Sequence, residues 1–147
     1  MKNIFIILII FFYGCDFKPV YIKGNESGLE FNKIISIGDE KLNRLLVKTL
    51  GLKELSNNNL NLKLDSNYNI LETSKNSRGL IETYKSIITI NLIIESDGKI
   101  KKTKNFSKEF SYNSKDNKFE LLKYQNKIKS NLSAELANEI YIYLKLQ

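Results

Sequence analysis

Alternation of apolar and polar residues in three consecutive segments constrains this chain more than any other feature of its sequence. In residues 60–70, leucine, tyrosine and isoleucine share one phase, while asparagine, lysine and aspartate occupy the other. Because successive side chains of a β-strand point to opposite faces, this segment predicts a strand with one buried and one solvated face. The next strand runs from about Leu80 to Glu95. It also carries Ile87 and Ile93 in its second phase, which predicts a central strand.

The turn after that strand contains Asp97 and Gly98, and its length decides the register of the following strand. A two-residue loop would place Thr89 opposite Phe106. A three-residue loop over residues 96–98, with a left-handed Gly98 and a bulge, gathers the apolar residues on one face and places opposite charges beside the turn. We therefore expect the three-residue loop. Its pairs would be Ile94 with Ile100, Ile88 with Phe106, Tyr84 with Phe110, and Glu95 with Lys99.

A short strand over residues 33–37 and one helix are predicted before these strands. Asp39 is suited to cap the helix, and Gly51 is suited to end it. Apolar residues recur between them at helical spacing. These residues are Leu42, Leu45, Leu46 and Leu50.

A longer helix is predicted at the end of the chain. Asn117 and Glu120 resemble a capping box, in which each residue bonds the backbone of the other. The apolar residues that follow form one stripe over about 26 residues, which is typical of a helix packed on a core. They are Leu121, Ile128, Leu132, Leu136, Ile140 and Leu144.

The element order is therefore β-α-β-β-β-α. A sheet with one apolar face and two helices with apolar stripes can close as two layers. We predict an α+β two-layer sandwich in which both helices pack on one face of a mainly antiparallel four-stranded sheet. The other face would stay open to solvent or to a partner.

The first fifteen residues have the pattern of a bacterial lipoprotein export signal. Lys2 precedes ten apolar residues (4–13), and Gly14 stands directly before Cys15, the single cysteine of the chain. Ten residues extend only about 15 Å as a helix, half of the hydrocarbon core, which argues against a permanent transmembrane span. We expect cleavage before Cys15 and acylation of its sulfur and new α-amine. This divides the chain into a signal peptide (1–14), a lipidated tether (15–30) and one domain (31–147).

Composition narrows the possible functions. The chain has no histidine, and its single cysteine is assigned to the lipid, which excludes Ser-His-Asp and Cys-His nucleophiles and the common zinc sites. No acidic pair stands in an apolar setting that would raise the pKa of one carboxyl group for acid catalysis. We expect no enzyme, no metal and no cofactor except the covalent lipid. The net charge of +7 does not indicate nucleic-acid binding, because Arg44 and Arg78 are the only arginines.

Several short segments resemble the lipopolysaccharide-assembly lipoproteins of the LptE family. Residues 15–21 look like the opening of the mature proteins, and residues 44–51 look like the family's first helix. Residues 107–112 with Asn113, Asp116 and Phe119 are similar to the Ser-x-x-Tyr-Asn segment before the family's last helix. The final helix ends the domain as in family members, with Ala134, Glu135, Leu136, Ala137 and Ile140. Asp16 departs from the usual glycine.

The resemblance implies a lipid-anchored domain that sits inside the outer-membrane β-barrel LptD, plugs it, helps it assemble and contacts lipopolysaccharide (LPS). It also implies that Arg78 and Lys123 approximate basic residues that bind LPS, with Lys115 and Lys118 as weaker candidates on the adjoining loop. Lysine and arginine suit the phosphates of lipid A. The plainer alternative is that these are solvated surface cations.

Asp16 leaves a second interpretation open. In enteric bacteria, an aspartate after the lipidated cysteine often retains a lipoprotein in the inner membrane. The alternative function is thus an accessory lipoprotein of an inner-membrane transporter, facing the periplasm. The resemblance instead implies the periplasmic side of the outer membrane.

Overall fold

The computed structural model describes residues 29–146 of the chain. Its elements, in chain order, are β1 (Glu30–Phe31), β2 (Lys33–Gly38), α1 (Glu40–Thr49), β3 (Lys53–Glu54), β4 (Leu60–Lys75), β5 (Ile81–Ser96), β6 (Lys99–Asn113) and α2 (Lys118–Lys145). The predicted α+β class and the order of the six main elements are confirmed. The two-residue strands β1 and β3 pair in parallel with each other and were not predicted.

The four long strands form one sheet in the order β2-β4-β5-β6. The edge strand β2 is parallel to β4, while the pairs β4–β5 and β5–β6 are antiparallel. The central place predicted for β5 is confirmed. A single row crosses the sheet at one end, since Lys33 is the partner of Asn61, Asn61 of Glu95, and Glu95 of Ile100.

The β5–β6 hairpin corrects the predicted register. Its turn is the two-residue loop, with positive φ at both Asp97 (53°) and Gly98 (70°), as tight hairpin turns require. The pairs at the turn are Ser96 with Lys99 and Glu95 with Ile100, so the predicted partners there were wrong.

The two-residue turn alone would turn Phe106 to the face away from the helices. A bulge at Lys101 returns it to the face that the helices cover. Ile94 is the partner of Lys102, which leaves Lys101 as the extra residue on β6. Phe106 therefore lies opposite Ile90, neither opposite Ile88 as predicted nor opposite Thr89. The actual partner of Ile88 is Lys108. The predicted pair of Tyr84 with Phe110 was wrong too, because Tyr84 lies opposite Tyr112 and Phe110 opposite Ser86. The predicted face of Phe106 was correct, because Phe106 is buried, but that of Ile100 was wrong, because Ile100 lies opposite Glu95 and is 63% exposed.

Both helices begin at the predicted caps. Asp39 accepts a hydrogen bond from the backbone N–H of Leu42 (2.9 Å), and Asn117 accepts from those of Phe119 (2.8 Å) and Glu120 (3.3 Å). Gly51, with a φ of 61°, follows the end of α1 as predicted.

The helices pack on one face of the sheet and enclose the core. The predicted stripe of α2 is buried from Ile128 to Leu144, and Leu121 is half-buried. Leu45 of α1 was predicted on the apolar face, but its side chain is 39% exposed. It lies at the edge of the buried face, which Leu42, Leu46 and Leu50 form. The opposite face of the sheet carries mostly polar side chains, with Ile87 and Ile93 half-buried among them.

Candidate functional site

Two connections meet at one end of the sheet, which we call the loop end. They are the β4–β5 turn (residues 76–80) and the β6–α2 loop (residues 114–117). The backbone N–H of Ser114 donates to the carbonyl of Glu82 (2.6 Å), which ties the second connection to the base of the first. All four LPS-binding candidates from the sequence lie on or next to these two connections.

Arg78 stands on a turn that is ordered by its own side chains. The Asn76 carboxamide oxygen accepts from the backbone N–H groups of Arg78 (2.9 Å) and Leu80 (3.0 Å). Gly79 adopts the positive φ (78°) that the turn needs. The turn therefore presents an exposed Arg78 side chain beside the β6–α2 loop.

A groove of about 390 Å³ lies between the β6–α2 loop and the first turns of α2. Lys115, Lys123, Lys127, Tyr124 and Glu120 line it, and we call it the basic groove. The Lys115 ammonium nitrogen lies 4.8 Å from the centre of the Tyr124 ring, within range of a cation–π interaction. Within the described chain, none of the three lysines takes part in an ion pair. Their charge is thus available to an anionic ligand.

A second groove, of about 290 Å³, continues the basic groove along α2. Tyr124 and Lys127 line both grooves, and Phe110, Ile128 and Leu132 add apolar surface to the second. Phe110 is 46% exposed, although its neighbours in the same phase of β6, Phe106 and Tyr112, are buried. Cationic and apolar surfaces therefore adjoin at the loop end, as a ligand with both phosphates and hydrocarbon requires.

Tyr112 holds the aromatic side chains of the loop end in place. Its buried ring stacks on those of Tyr84 (5.7 Å between centroids) and Phe110 (6.5 Å), and meets Tyr124 edge to face (5.7 Å). Edge-to-face and offset-stacked contacts are favoured aromatic geometries. The groove wall is thus attached to the core through β6.

A polar network runs beneath these rings. The hydroxyl of Ser86 donates to that of Tyr112 (3.3 Å) and lies 3.1 Å from that of Tyr68. The Lys129 ammonium nitrogen lies 4.8 Å from the centre of the Tyr68 ring and donates to Asp39 (2.6 Å). Burial of the phenol raises the pKa of Tyr68 above its usual value of 10.0, although the bond to Ser86 opposes the shift. This network joins the sheet under the loop end to both helices.

Another groove with basic residues, of about 410 Å³, lies beside α1. Arg44, Lys48 and Lys53 line it, but Arg44 is paired with Glu40 (3.0 Å). Among the described residues that line it, none is aromatic. It therefore lacks the combination of surfaces found at the loop end.

The structure brings together two of the predicted site residues. Lys115 and Lys123 share the basic groove, Arg78 stands on the neighbouring turn, and Lys118 begins α2 without lining the groove. Sequence reasoning missed Lys127 and Tyr124. The available signal was the helical spacing, because Lys127 follows Lys123 by four residues and so lies on the same face. The predicted lipidation site, Cys15, lies outside the described residues, and no described helix is long and apolar enough to cross a membrane.

No protein-family model matches the chain, and no curated protein sequence is similar to it. Solved structures are similar in fold. Rare lipoprotein B from Shewanella oneidensis matches with a TM-score of 0.61 at 14% identity, over 78% of this chain and 94% of that one. An uncharacterized lipoprotein B from Nitrosomonas europaea matches with a TM-score of 0.58 at 6% identity, over 76% of this chain and 82% of that one. At such identities the likeness is one of architecture: this chain has the α+β fold found in these lipoproteins.

Proposed function

We propose that this protein is a lipid-anchored, non-enzymatic subunit of the outer-membrane LPS assembly complex, of the LptE kind. In this role it plugs and supports the β-barrel LptD and contacts LPS. The observation that carries the proposal is the loop end, where three lysines without ion-pair partners among the described residues adjoin an exposed phenylalanine and a tyrosine.

The chemistry of the loop end suits lipid A, which carries phosphates on a sugar core with attached acyl chains. Lys115, Lys123 and Lys127 can donate charge-assisted hydrogen bonds to phosphate. Phe110 and Tyr124 offer apolar surface and a ring face next to those charges. Arg78 can reach toward the same ligand from the neighbouring turn, and its guanidinium fork suits phosphate.

The sequence and the fold support the remaining parts of the proposal. The segment that ends at Cys15 has the pattern of a lipoprotein signal, and the described domain has the architecture of rare lipoprotein B. The sheet face away from the helices is mostly polar and is covered by no described element, so it offers a surface for the barrel wall.

Purification from the native membrane in mild detergent tests this function. We expect the protein to bring down a large outer-membrane β-barrel. Recovery as a free monomer would contradict the proposal. Intact mass of the purified protein tests the anchor, since an unmodified thiol on an uncleaved chain would exclude lipidation at Cys15.

An accessory lipoprotein of an inner-membrane transporter is the second candidate function. Asp16 favours it, because an aspartate at this position is associated with retention in the inner membrane. Membrane fractionation separates the two candidates. Enrichment with inner-membrane markers would support the transporter subunit, whereas enrichment with outer-membrane markers would support the LPS assembly subunit.

A further inference from the structure

The end of the sheet opposite the loop end carries a second, separate concentration of positive charge. Four of the six residues from Lys99 to Lys104 are lysines, namely Lys99, Lys101, Lys102 and Lys104. All six residues are exposed. We call these four lysines the hairpin lysines and the end that carries them the hairpin end.

The hairpin lysines differ from the lysines farther along β5 and β6. Lys108 of β6 is paired with Glu139 (2.6 Å), and Lys85 of β5 with Glu109 (3.0 Å). In the part of the chain from 29 to 146, none of the hairpin lysines takes part in an ion pair. The acidic residues closest along the chain, Glu95 and Asp97, are half as many as the lysines. The hairpin end therefore keeps an excess of positive charge.

The first described residues lie at this same end. The row from Lys33 through Asn61 and Glu95 to Ile100 places the start of β2 level with the first residues of β6. The backbone carbonyl of Leu29 accepts a hydrogen bond from the backbone N–H of Lys53 (3.0 Å). This bond lies next to the β1–β3 pair, which precedes the row along the chain. Only fourteen positions separate Leu29 from Cys15, a reach of at most about 50 Å.

From this juxtaposition we infer that the hairpin lysines dock on the anionic phospholipid surface in which the lipid of Cys15 is embedded, and so orient the domain. The inference rests on the lipid anchor of the proposed function. The lipid of Cys15 holds the chain on the bilayer but does not orient the domain, and each lysine near an anionic lipid surface adds electrostatic attraction that can do so. The exposed Ile100, 63% accessible among the lysines, adds an apolar contact with the interface.

Docking in this way sets the direction in which the basic groove points. The sixteen residues of β5 extend roughly 50 Å at about 3.4 Å per residue and separate the hairpin end from the loop end. The hairpin lysines would thus face the bilayer that holds the anchor, and Lys115, Lys123 and Lys127 would point away from it. The two basic regions would bind different surfaces.

The acylated full-length mature protein, reconstituted in vesicles, tests the inference. One set of vesicles contains phosphatidylcholine alone, and the other also contains phosphatidylglycerol. A donor dye on Thr103→Cys or on Ser77→Cys reports energy transfer to an acceptor on the lipid headgroups, since Cys15 is the only native cysteine and its sulfur is acylated. We expect more transfer from position 103 than from position 77, and a larger difference in anionic than in neutral vesicles, where the tether alone keeps the hairpin end closer to the bilayer. High salt should reduce the difference to that of neutral vesicles, because the Debye length falls to about 3 Å at 1 M.

Two variants with the same loss of charge complete the test. Replacing the four hairpin lysines with glutamine should lower the ratio of docked to undocked protein by about tenfold or more, since each lysine near an anionic surface contributes about fivefold. The matched variant replaces Lys115, Lys118, Lys123 and Lys127 with glutamine and should leave docking unchanged. Equal losses in the two variants, or equal transfer in neutral and anionic vesicles, would overturn the inference.

Two further outcomes would also decide against it. Lysines on an edge strand discourage pairing with another chain. If the hairpin variant dimerised while transfer stayed the same, the lysines would serve that protective role instead. A protein that fails to float with neutral vesicles would lack the anchor, which would overturn the proposed function together with this inference. A protein that floats equally with both kinds of vesicle, with no anionic dependence of transfer, overturns this inference alone.

Discussion

Gly38 stands where β2 passes into α1, and a side chain there would collide with the sheet. Its φ is 88°, and a Cβ atom would lie 1.9 Å from the carbonyl oxygen of Ser66. That carbonyl accepts from the backbone N–H of Asp39 (2.9 Å), so it has little freedom to move. We expect Gly38→Ala to lower the free energy of unfolding by about 3 kcal/mol or more, as measured by urea denaturation.

Gly79 provides the matched control for that substitution. It also has a positive φ (78°), but a Cβ atom would meet nothing within 4 Å. Gly79→Ala should therefore lower the free energy of unfolding by only about 1 kcal/mol, the cost of the left-handed conformation. Similar losses in the two variants would show that the contact with Ser66 is not the cause.

Asp39 links the two helices. One of its oxygens caps α1 at Leu42, and the other accepts from Lys129 of α2 (2.6 Å), with both side chains of the ion pair less than one quarter exposed. Asp39→Asn keeps an oxygen for the cap and loses the charge pair, so we expect the free energy of unfolding to fall by about 1 kcal/mol. Asp39→Ala removes both and should cost about 2 kcal/mol.

A double-mutant cycle of Asp39→Asn with Lys129→Met isolates the ion pair. We expect a coupling energy of about 1 kcal/mol from urea unfolding of the four proteins. The exposed pair Arg44–Glu40, with side chains 67% and 79% exposed, is the control and should give a coupling of about 0.5 kcal/mol or less. A coupling for Asp39 and Lys129 as small as that of the surface pair would contradict the prediction.

The same ion pair predicts how stability depends on pH. Burial alone would raise the pKa of Asp39, but the hydrogen bond and charge of Lys129 and the bond from Leu42 outweigh it and hold the pKa below 3.8. A carboxyl group whose pKa is lowered by folding stabilises the protein above its unfolded pKa and loses that effect as pH falls through its folded pKa. The stability difference between the native protein and Asp39→Asn should therefore shrink as pH falls below about 4. A difference that stays constant down to about pH 2 would contradict this assignment.

At the scale of elements, the sequence predicted the long strands and helices well because each carries a strong periodic pattern. The β5–β6 hairpin shows the limit of such patterns. Alternation reports which face a residue occupies, but a register shifted by two residues leaves every face unchanged. The two-residue turn and the bulge at Lys101 each shift β6 by one residue from the predicted register, so Phe106 faces the core as expected but lies opposite Ile90 instead of Ile88.

This bulge makes a deletion testable. Removing Lys101 should leave a regular two-residue hairpin with the same partners, since Lys101 is the extra residue on β6. We expect the deletion to keep the contact between Ile90 and Phe106, observed as a cross-strand nuclear Overhauser effect. The free energy of unfolding should change by no more than about 1 kcal/mol.

Removing Ser107 is the matched control, because it deletes one residue of the same strand beyond Phe106. The deletion would turn Tyr112 to the opposite face of the sheet. Since Tyr112 is 6% exposed and joins the aromatic cluster, the loss should exceed about 3 kcal/mol. Equal stability of the two deletions would mean that the bulge can move along the strand.

The paired strands β1 and β3 could not be predicted from the sequence. Each has only two residues, too few for any alternation, and the paired residues, Glu30 with Lys53 and Phe31 with Glu54, are 23 positions apart. The pair forms because the buried Phe31 and Leu52 anchor the adjoining chain to the core. Packing between residues far apart in the sequence brings β1 and β3 together, and local strand propensity does not.

At the scale of the whole molecule, the basic groove depends on tertiary structure that the sequence shows only in part. The family resemblance placed Lys115 and Lys123 near a ligand, and helical spacing could have added Lys127. The proximity of Tyr124 and Phe110 could not be derived, because it depends on how α2 lies across β6. The apolar residues of the site, Tyr124 and Phe110, could therefore be identified only from the structure.

Removing two charges at the loop end gives the direct test of LPS contact. We expect Arg78→Ala together with Lys123→Ala to weaken binding of purified LPS by about tenfold, because charge-assisted bonds to phosphate are among the stronger polar contacts. Both side chains are exposed, so the free energy of unfolding, measured by urea denaturation, should change by about 0.5 kcal/mol or less per site. Isothermal titration with LPS measures the affinity.

The control for this test removes the same charge from the hairpin end. Lys101→Ala together with Lys102→Ala lowers the net charge equally but leaves the loop end intact. If net charge alone attracted LPS, the two double variants would bind equally weakly. If the loop end binds the phosphates, only the variant of Arg78 and Lys123 loses affinity. Unchanged affinity in that variant would mean that Arg78 and Lys123 are solvated surface residues.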